Sequence, residues 1–270
     1  MPIRRISSKW AKTEALLASP ELRGLVPDTR PFDKQTVRGM LDDYGMIYVK
    51  PVNGTFGQGV IRLGKTAGND EGYTLQAGEK QQSFTSYEAM YDSLLKLKRP
   101  RTYLSQQGIE LLKQSGRRFD FRVMVQMSPA GRWETTGIIG RLAHPRRIVT
   151  NYHAGGTPLP METLMKAHLE NAGRTSSGYR RQLSKLGVDV ASVLGKRFPG
   201  LKEIGIDVAV DTSLKPWILE VNTMPDPFIF LRLPDRSVYR RIRRYATAYG
   251  RFRRAKRGSS KSKRRSGGKR

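Results

Sequence analysis

Apolar positions along this chain recur with two different periods, and the changes of period mark out its elements. Ser8 can cap a first helix over residues 9–18. Pro27 and Pro31 then break the chain. Asp33 is placed to cap a second helix, in which Val37, Met40, Leu41 and Tyr44 recur at helical spacing and Gly45 is the stop. Residues 46–50 read as a strand and 59–63 as its hairpin partner, with PVNGTFGQ between them. Short strands are predicted near 73–76 and 81–85. Ser86 then opens an amphipathic helix with Tyr87, Met90, Tyr91, Leu94 and Leu95 on one face. Pro100 closes this first region, and residues 102–107 read as a strand leading into the second.

The second region opens on strict alternation. Phe119, Phe121, Val123, Val125 and Met127 share one face of a strand, and Asp120, Arg122, Met124 and Gln126 share the other. The turn SPAG leads to a return strand near 133–141. A long helix carries Tyr179, Leu183, Leu186, Val190, Val193 and Leu194. Two strands follow, over 203–210 and 217–222, joined by a tight turn.

Charge changes the picture at the C-terminus. The 270-residue chain has a formal net charge of +27, yet residues 236–270 hold 16 Lys or Arg and no acid, which leaves +11 on the body. Beyond Asp235 the chain reads first as a basic, helix-like stretch, and a segment of that composition is predicted not to pack on the body. It ends in the low-complexity KRGSSKSKRRSGGKR, expected to be disordered and to act as an electrostatic anchor for polyanions. There is no cysteine, so disulfides, thiolate metal sites and a Cys nucleophile are excluded. Three His are too few for a typical zinc site, and His144 and His153 lack the context of a triad. No apolar run approaches the roughly twenty residues of a membrane helix, and the first residues lack a signal-peptide core. The expectation is a soluble, cytoplasmic protein with no membrane span.

Two stretches carry chemistry. Lys50 ends a strand and is followed by Gly54, Gly57 and Gly59 at GxxGxG spacing. Glycines let backbone N–H groups turn toward an anion, and the lysine adds a full charge beside it. No Gly-Lys-Ser/Thr follows and the next element reads as a strand, so this is neither a P-loop nor a dinucleotide fingerprint. A glycine-rich hairpin with a solvated lysine is the plainer reading of the loop by itself. The second stretch is the last hairpin. If its loop is 212–215, Asp211 faces Pro216 and Asp207 falls opposite Glu220, with Asn222 on the same face. Three oxygen donors then converge on one side, a set suited to Mg²⁺. Exposed polar positions on a half-solvated hairpin are the alternative. On the earlier strand, Asp120 and Arg122 read as a same-face ion pair, and VTNYHAGG as an ordinary polar turn around Asn151.

Taken in order, SSKWAKTEALL, DKQTVRGML, MIYVKPVNGTFGQGVIRL, YLSQQGIELLKQSGRRFDFRVMVQ, VTNYHAGG and IGIDVAVDTSLKPWILEVNTMPDP resemble the ATP-grasp superfamily, and more closely the YheC/YheD family of spore formers. The resemblance implies an α+β fold: a lead-in over 1–32, two lobes over 33–105 and 106–235 that clasp ATP, and the basic tail over 236–270. It implies that Lys34 and Lys50 contact the phosphates and that Gly54, Gly57 and Gly59 fold over them. Gln106, Gln107 and Ile109 would receive the adenine, and Glu110 is the candidate for the ribose, although many such hinges carry Glu where this chain has Gln107. Asp207, Glu220 and Asn222 would hold Mg²⁺, with Arg122 and Asn151 facing the transferred phosphoryl group. The implied activity is ATP- and Mg²⁺-dependent ligation of an unidentified carboxylate to an unidentified amine through an acyl phosphate, in a spore-associated setting with polyanion or spore-surface contact through the tail. The rivals are a small-molecule kinase, a non-catalytic, ATP-binding coat or scaffold protein, and a nucleic-acid binder, which only the charge of the tail supports. Only about thirty residues precede Asp33, as in a short, stand-alone form.

Overall fold

Ser8 caps the first helix. Its Oγ accepts from the Ala11 N–H at 3.2 Å, and α1 runs Lys9–Leu17 in the computed structural model, which describes residues 3–54, 57–66 and 72–252. After β1 (Thr29–Pro31), Asp33 caps α2 (Lys34–Tyr44), and Gly45 ends it in the left-handed conformation that a glycine adopts without strain. Then come β2 (Met46–Pro51), β3 (Ile61–Lys65), β4 (Tyr73–Ala77), β5 (Lys80–Phe84), α3 (Tyr87–Leu97) and β6 (Tyr103–Gln107). The strands form one antiparallel sheet in the order β1-β6-β2-β3-β4-β5. Val37, Met40, Met90 and Leu94 of the two helices pack on its Ile47, Val49, Leu63 and Leu75.

Two details differ from the sequence expectation. The return strand starts at Ile61 rather than at residue 59, because Gly57 and Gly59 have positive φ and keep the loop turning. Leu95 is exposed, one position off the buried face of α3.

The second sheet is built from β7 (Lys113–Gln114), β8 (Arg117–Met127), β9 (Trp133–Leu142), β10 (Thr157–Leu159), β11 (Glu203–Val210) and β12 (Pro216–Asn222), in the order β10-β9-β8-β11-β12 with β7 beside β8. Helices α4 (Met161–Asn171) and α5 (Ser176–Arg197) cover one face, and Leu183, Val190 and Leu194 meet Phe121, Val123 and Ile206 there. Strand β10 and helix α4 are absent from the sequence expectation; the strand has three residues, and the helix has a short amphipathic stripe and no side-chain cap. The architecture is thus mixed α and β, with two antiparallel sheets and six α-helices among the described residues. No described helix is long and apolar enough to cross a membrane.

The chain beyond Asp235 corrects an expectation. Residues 236–252 pack on the body. Helix α6 (Arg236–Ala248) buries Ile242, Tyr245 and Ala246, and Ile242 joins Met124, Ile139 and Phe230 in an apolar cluster. The helix-like reading of its start holds, but its arginines face outward while one apolar stripe faces in, so net composition concealed that the helix packs. The helix is anchored by Glu203, which is fully buried. Its Oε2 accepts from Tyr249 Oη at 2.6 Å and Arg251 at 2.8 Å, and its Oε1 forms an ion pair with Arg5 at 2.7 Å that lacks hydrogen-bond geometry. Residues 253–270, on which the remainder of the predicted tail falls, lie outside the described residues.

Candidate active site

The last hairpin sets the chemistry, and a bulge sets the hairpin. Near the turn Val210 pairs with Pro216, one residue off the predicted register, because the Asp211 N–H reaches Lys215 O at 3.1 Å and takes Asp211 into the loop. A β-bulge between Asp207 and Val208 then shifts the register back, and Asp207 lies opposite Glu220 as expected. The bulge has a second effect. Ile218 and Val221 enter the core, whereas the consecutive residues Leu219 and Glu220 both line the cleft. A bulge re-aims side chains in this way. An apolar wall and a carboxylate thus stand side by side.

One cleft lies between the two sheets. From the first sheet it is lined by Tyr48, Lys50, Gln106, Gln107 and Val60, with Gly57 of the loop. The second region supplies Ile109, Leu111, Ile148, Asn151, Leu219, Asp207 and Glu220. The apolar members form a slot suited to a flat base, and the charged members lie at its other end. A second cavity continues from there past Arg122, Asn151 and Asn222 to Met224 and Phe228. Gly57 touches the far wall: a Cβ built on it would stand 2.9 Å from Asn151 Oδ1. The glycine loop and the TNxxxGG turn therefore meet, and only a residue without a side chain permits that approach.

The charged end is tightly wired. Arg122 Nε donates to Asp207 Oδ1 at 2.7 Å. Arg141 donates to both oxygens of Asp120, at 2.8 and 2.5 Å, and reaches Asp207 Oδ2 at 3.1 Å. Thr150 Oγ1 donates to Asp120 Oδ2 at 2.6 Å. Asp120 and Arg122 are thus not paired with each other: cross-strand neighbours reach each carboxylate more directly than the residue two along. Burial pushes the Asp207 carboxyl up, but Arg122 and Arg141 outweigh it and hold it below the usual range. Burial would also lower the Arg141 guanidinium, but Asp120 and Asp207 raise it. Lys50 is enclosed by the cleft walls, and that burial brings it down to about 8 against the attraction of Glu220. Its Nζ donates to Gln106 Oε1, and Gln106 Nε2 donates to Thr29 Oγ1 at 3.0 Å.

Not every predicted residue arrives here. Lys34 starts α2 on the outer face, exposed, with its ammonium 5.7 Å from the Tyr91 ring centre. Glu110 is exposed and pairs with Lys113 at 2.9 Å, away from the cleft lining. Gln107 lines the cleft, but its Oε1 accepts from Asp28 N at 3.2 Å and its own N–H is used on Asp28 O at 2.8 Å. Lys50, Gly57, Gln106, Gln107, Ile109, Asn151, Asp207 and Glu220 are brought together, and Arg122 and Asn222 join them in the adjoining cavity. Gly54 and Gly59 take positive φ on the loop and do not line the cleft. Sequence reasoning missed Arg141, Leu219 and Lys9. A bulge after Met124 offsets the register of β8 and β9, so the pairing of Arg141 with Asp120 left no signal in the sequence. A bulge leaves no mark in alternation, which also hid Leu219.

The donor set suits Mg²⁺. Glu220 and Asn222 offer hard oxygens on one strand face, and Asp207 faces Glu220. Two arginines on Asp207 leave lone pairs over, since a carboxylate has about four acceptor sites. Among the described residues no three acidic or His side chains could hold a cation by themselves. Mg²⁺ is commonly held by one or two carboxylates together with substrate phosphates, so this set fits it.

A cleft between two antiparallel sheets, with a glycine loop on one side and an acid-bearing hairpin on the other, defines the ATP-grasp class. The chain belongs to the YheC/D-like ATP-grasp family, whose profile matches residues 4–252. Proteins with this fold are generally ATP-dependent ligases. The chain is 28% identical over 230 residues to the endospore coat-associated protein YheD of Bacillus subtilis (strain 168), covering 83% of this chain and 49% of that protein. It is 22% identical over 232 residues to the endospore coat-associated protein YheC of the same organism, covering 85% of this chain and 63% of that protein. The chain thus spans about half to three-fifths of the length of these relatives.

Proposed function

We propose that this chain is an ATP- and Mg²⁺-dependent ligase that joins a carboxylate to an amine. The observation carrying this reading is the meeting of Lys50 and the glycine loop with Asp207, Glu220 and Arg122 at one end of an apolar slot. Ile109, Leu111 and Leu219 would enclose the base of ATP, and Lys50 and Gly57 would meet its phosphates. Glu220 and Asn222, with Asp207 opposite, would hold Mg²⁺, which would supply Lewis-acid neutralisation of the phosphate charge. A substrate carboxylate in the adjoining cavity attacks the γ-phosphorus, ADP leaves, and an amine opens the acyl phosphate with loss of phosphate and a proton. Arg122 and Asn151 meet the charge that develops on the transferred group, in positions fixed before reaction. Arg141 also lines both cavities, and it fixes Asp207 and Asp120 in place.

A second reading draws on the names of the relatives. A coat-associated, ATP-binding protein without turnover would need the same cleft. One screen separates the two. ATP consumption is measured over pooled amino acids, peptides and polyacids, with mass detection of products. The ligase reading predicts ADP, phosphate and a new amide. A phosphorylated product with no amide would indicate a kinase, and ATP binding without consumption in any pool would favour the scaffold.

A further inference from the structure

The motif SSKWAKTEALL has no part in the chemistry above, yet the helix it forms lies against the site. Helix α1 packs on α5 and β12. Its first residue is stitched to the glycine loop twice: the Lys9 N–H donates to Val52 O at 3.0 Å, and Lys9 Nζ donates to Gly54 O at 2.8 Å. The same Nζ stands 3.5 Å from Glu220 Oε1, and both side chains are largely buried, 11% and 25% exposed. One ammonium group therefore joins the loop after β2 to the acidic strand β12, across the two sheets. Lys9, Lys12, Lys50 and Glu220 also line a common cavity behind the cleft. A carboxylate aimed at a triphosphate repels it, and in a partly buried place that repulsion is weakly screened. A resident cation at Glu220 removes the conflict.

We propose that Lys9 is a positioning residue of the nucleotide site, serving as the resident counter-cation of Glu220 and pinning the glycine loop at Gly54. The inference rests on the ATP reading above. Without metal, Lys9 neutralises Glu220 and holds the loop ready. With metal bound at Glu220, the cation it supplied is duplicated, and only the loop contact remains its own. Loss of Lys9 is therefore felt more when metal is absent.

The test is ATP affinity by calorimetry, in EDTA and in Mg²⁺, for the wild type, K9M and K9R. In K9M, ATP binding is expected to weaken roughly fivefold in EDTA and no more than about twofold in Mg²⁺, the difference being the coupling between Lys9 and the metal. Arginine keeps the charge, so K9R should restore most of the EDTA affinity. If K9M does not fold, K9Q removes the charge with a polar side chain and carries the same expectation. Equal weakening in both conditions would mean a merely structural helix and overturns the proposal, as does no change in either. A K9R protein as weak in EDTA as K9M also overturns it, because charge would then not be the cause. A wild type that binds no ATP in either condition removes the nucleotide reading itself, and this inference with it.

Discussion

Glu220→Gln should lower ATP turnover at least about a hundredfold while leaving the thermal midpoint close to wild type. The change is isosteric and keeps hydrogen-bonding capacity, but it removes the negative charge that a divalent cation needs. Glu220 is largely buried, with Lys9 at 3.5 Å and Lys12 and Lys50 also feeling its charge, and an amide of the same shape leaves the packing of β12 intact. The effect therefore falls on chemistry and not on the fold. Lys50→Met makes the contrast. It deletes the cation placed for the phosphates while keeping the carboxylates placed for the metal, and should raise the Kd for ATP more than it lowers turnover at saturation. Basal ATP hydrolysis, or amide formation once a substrate pair is found, is the readout. Near-normal turnover in E220Q with unaltered metal dependence would mean that the hairpin face is not the metal site.

A chain ending at Asp235 should lose several kcal/mol of stability, at most about 3–5 of it from breaking the buried Glu203–Arg251 ion pair. Such a chain keeps Glu203 buried but strips it of Tyr249 and Arg251, leaving Arg5. Gln126 also loses its bonds to Ile242 O and Tyr249 Oη. The cluster of Met124, Ile139 and Phe230 is bared on one side. A chain ending at Phe252 keeps every one of these contacts. Its midpoint should stay within about 2 °C of the full chain, and its ATP affinity should be unchanged. It lacks ten Lys and Arg, so its retention on DNA or another polyanion at low salt should fall. Thermal melts and salt-gradient retention of both truncations check this. Equal stability of the two would contradict the packing of α6. Retention that persists in the chain ending at Phe252 would place the anchor on the body and α6.

How far the site was legible follows from what sequence patterns encode. Alternation found the faces of β8 and β11, because one side of each meets a helix layer and must be apolar. Caps found the ends of α1, α2 and α3, since Ser8, Asp33 and Ser86 each accept from a backbone N–H three residues on. The Asp207–Glu220 pairing was reached through a register one residue off at the turn and a bulge that offsets it. Alternation has no term for either. Leu219 was hidden for the same reason. Non-local wiring was harder still. Asp120 and Arg141 are 21 residues apart and Glu203 and Arg251 48 apart, and a list of charges does not show which side chains share a buried place. Lys34 was carried over from family resemblance, and the geometry of α2 turns it outward.

Calorimetric titration of the full chain with ATP, in Mg²⁺ and again in EDTA, tests the central claim most directly. The account predicts saturable binding near one nucleotide per chain, weakened by EDTA. No binding at millimolar ATP with Mg²⁺ present would contradict it.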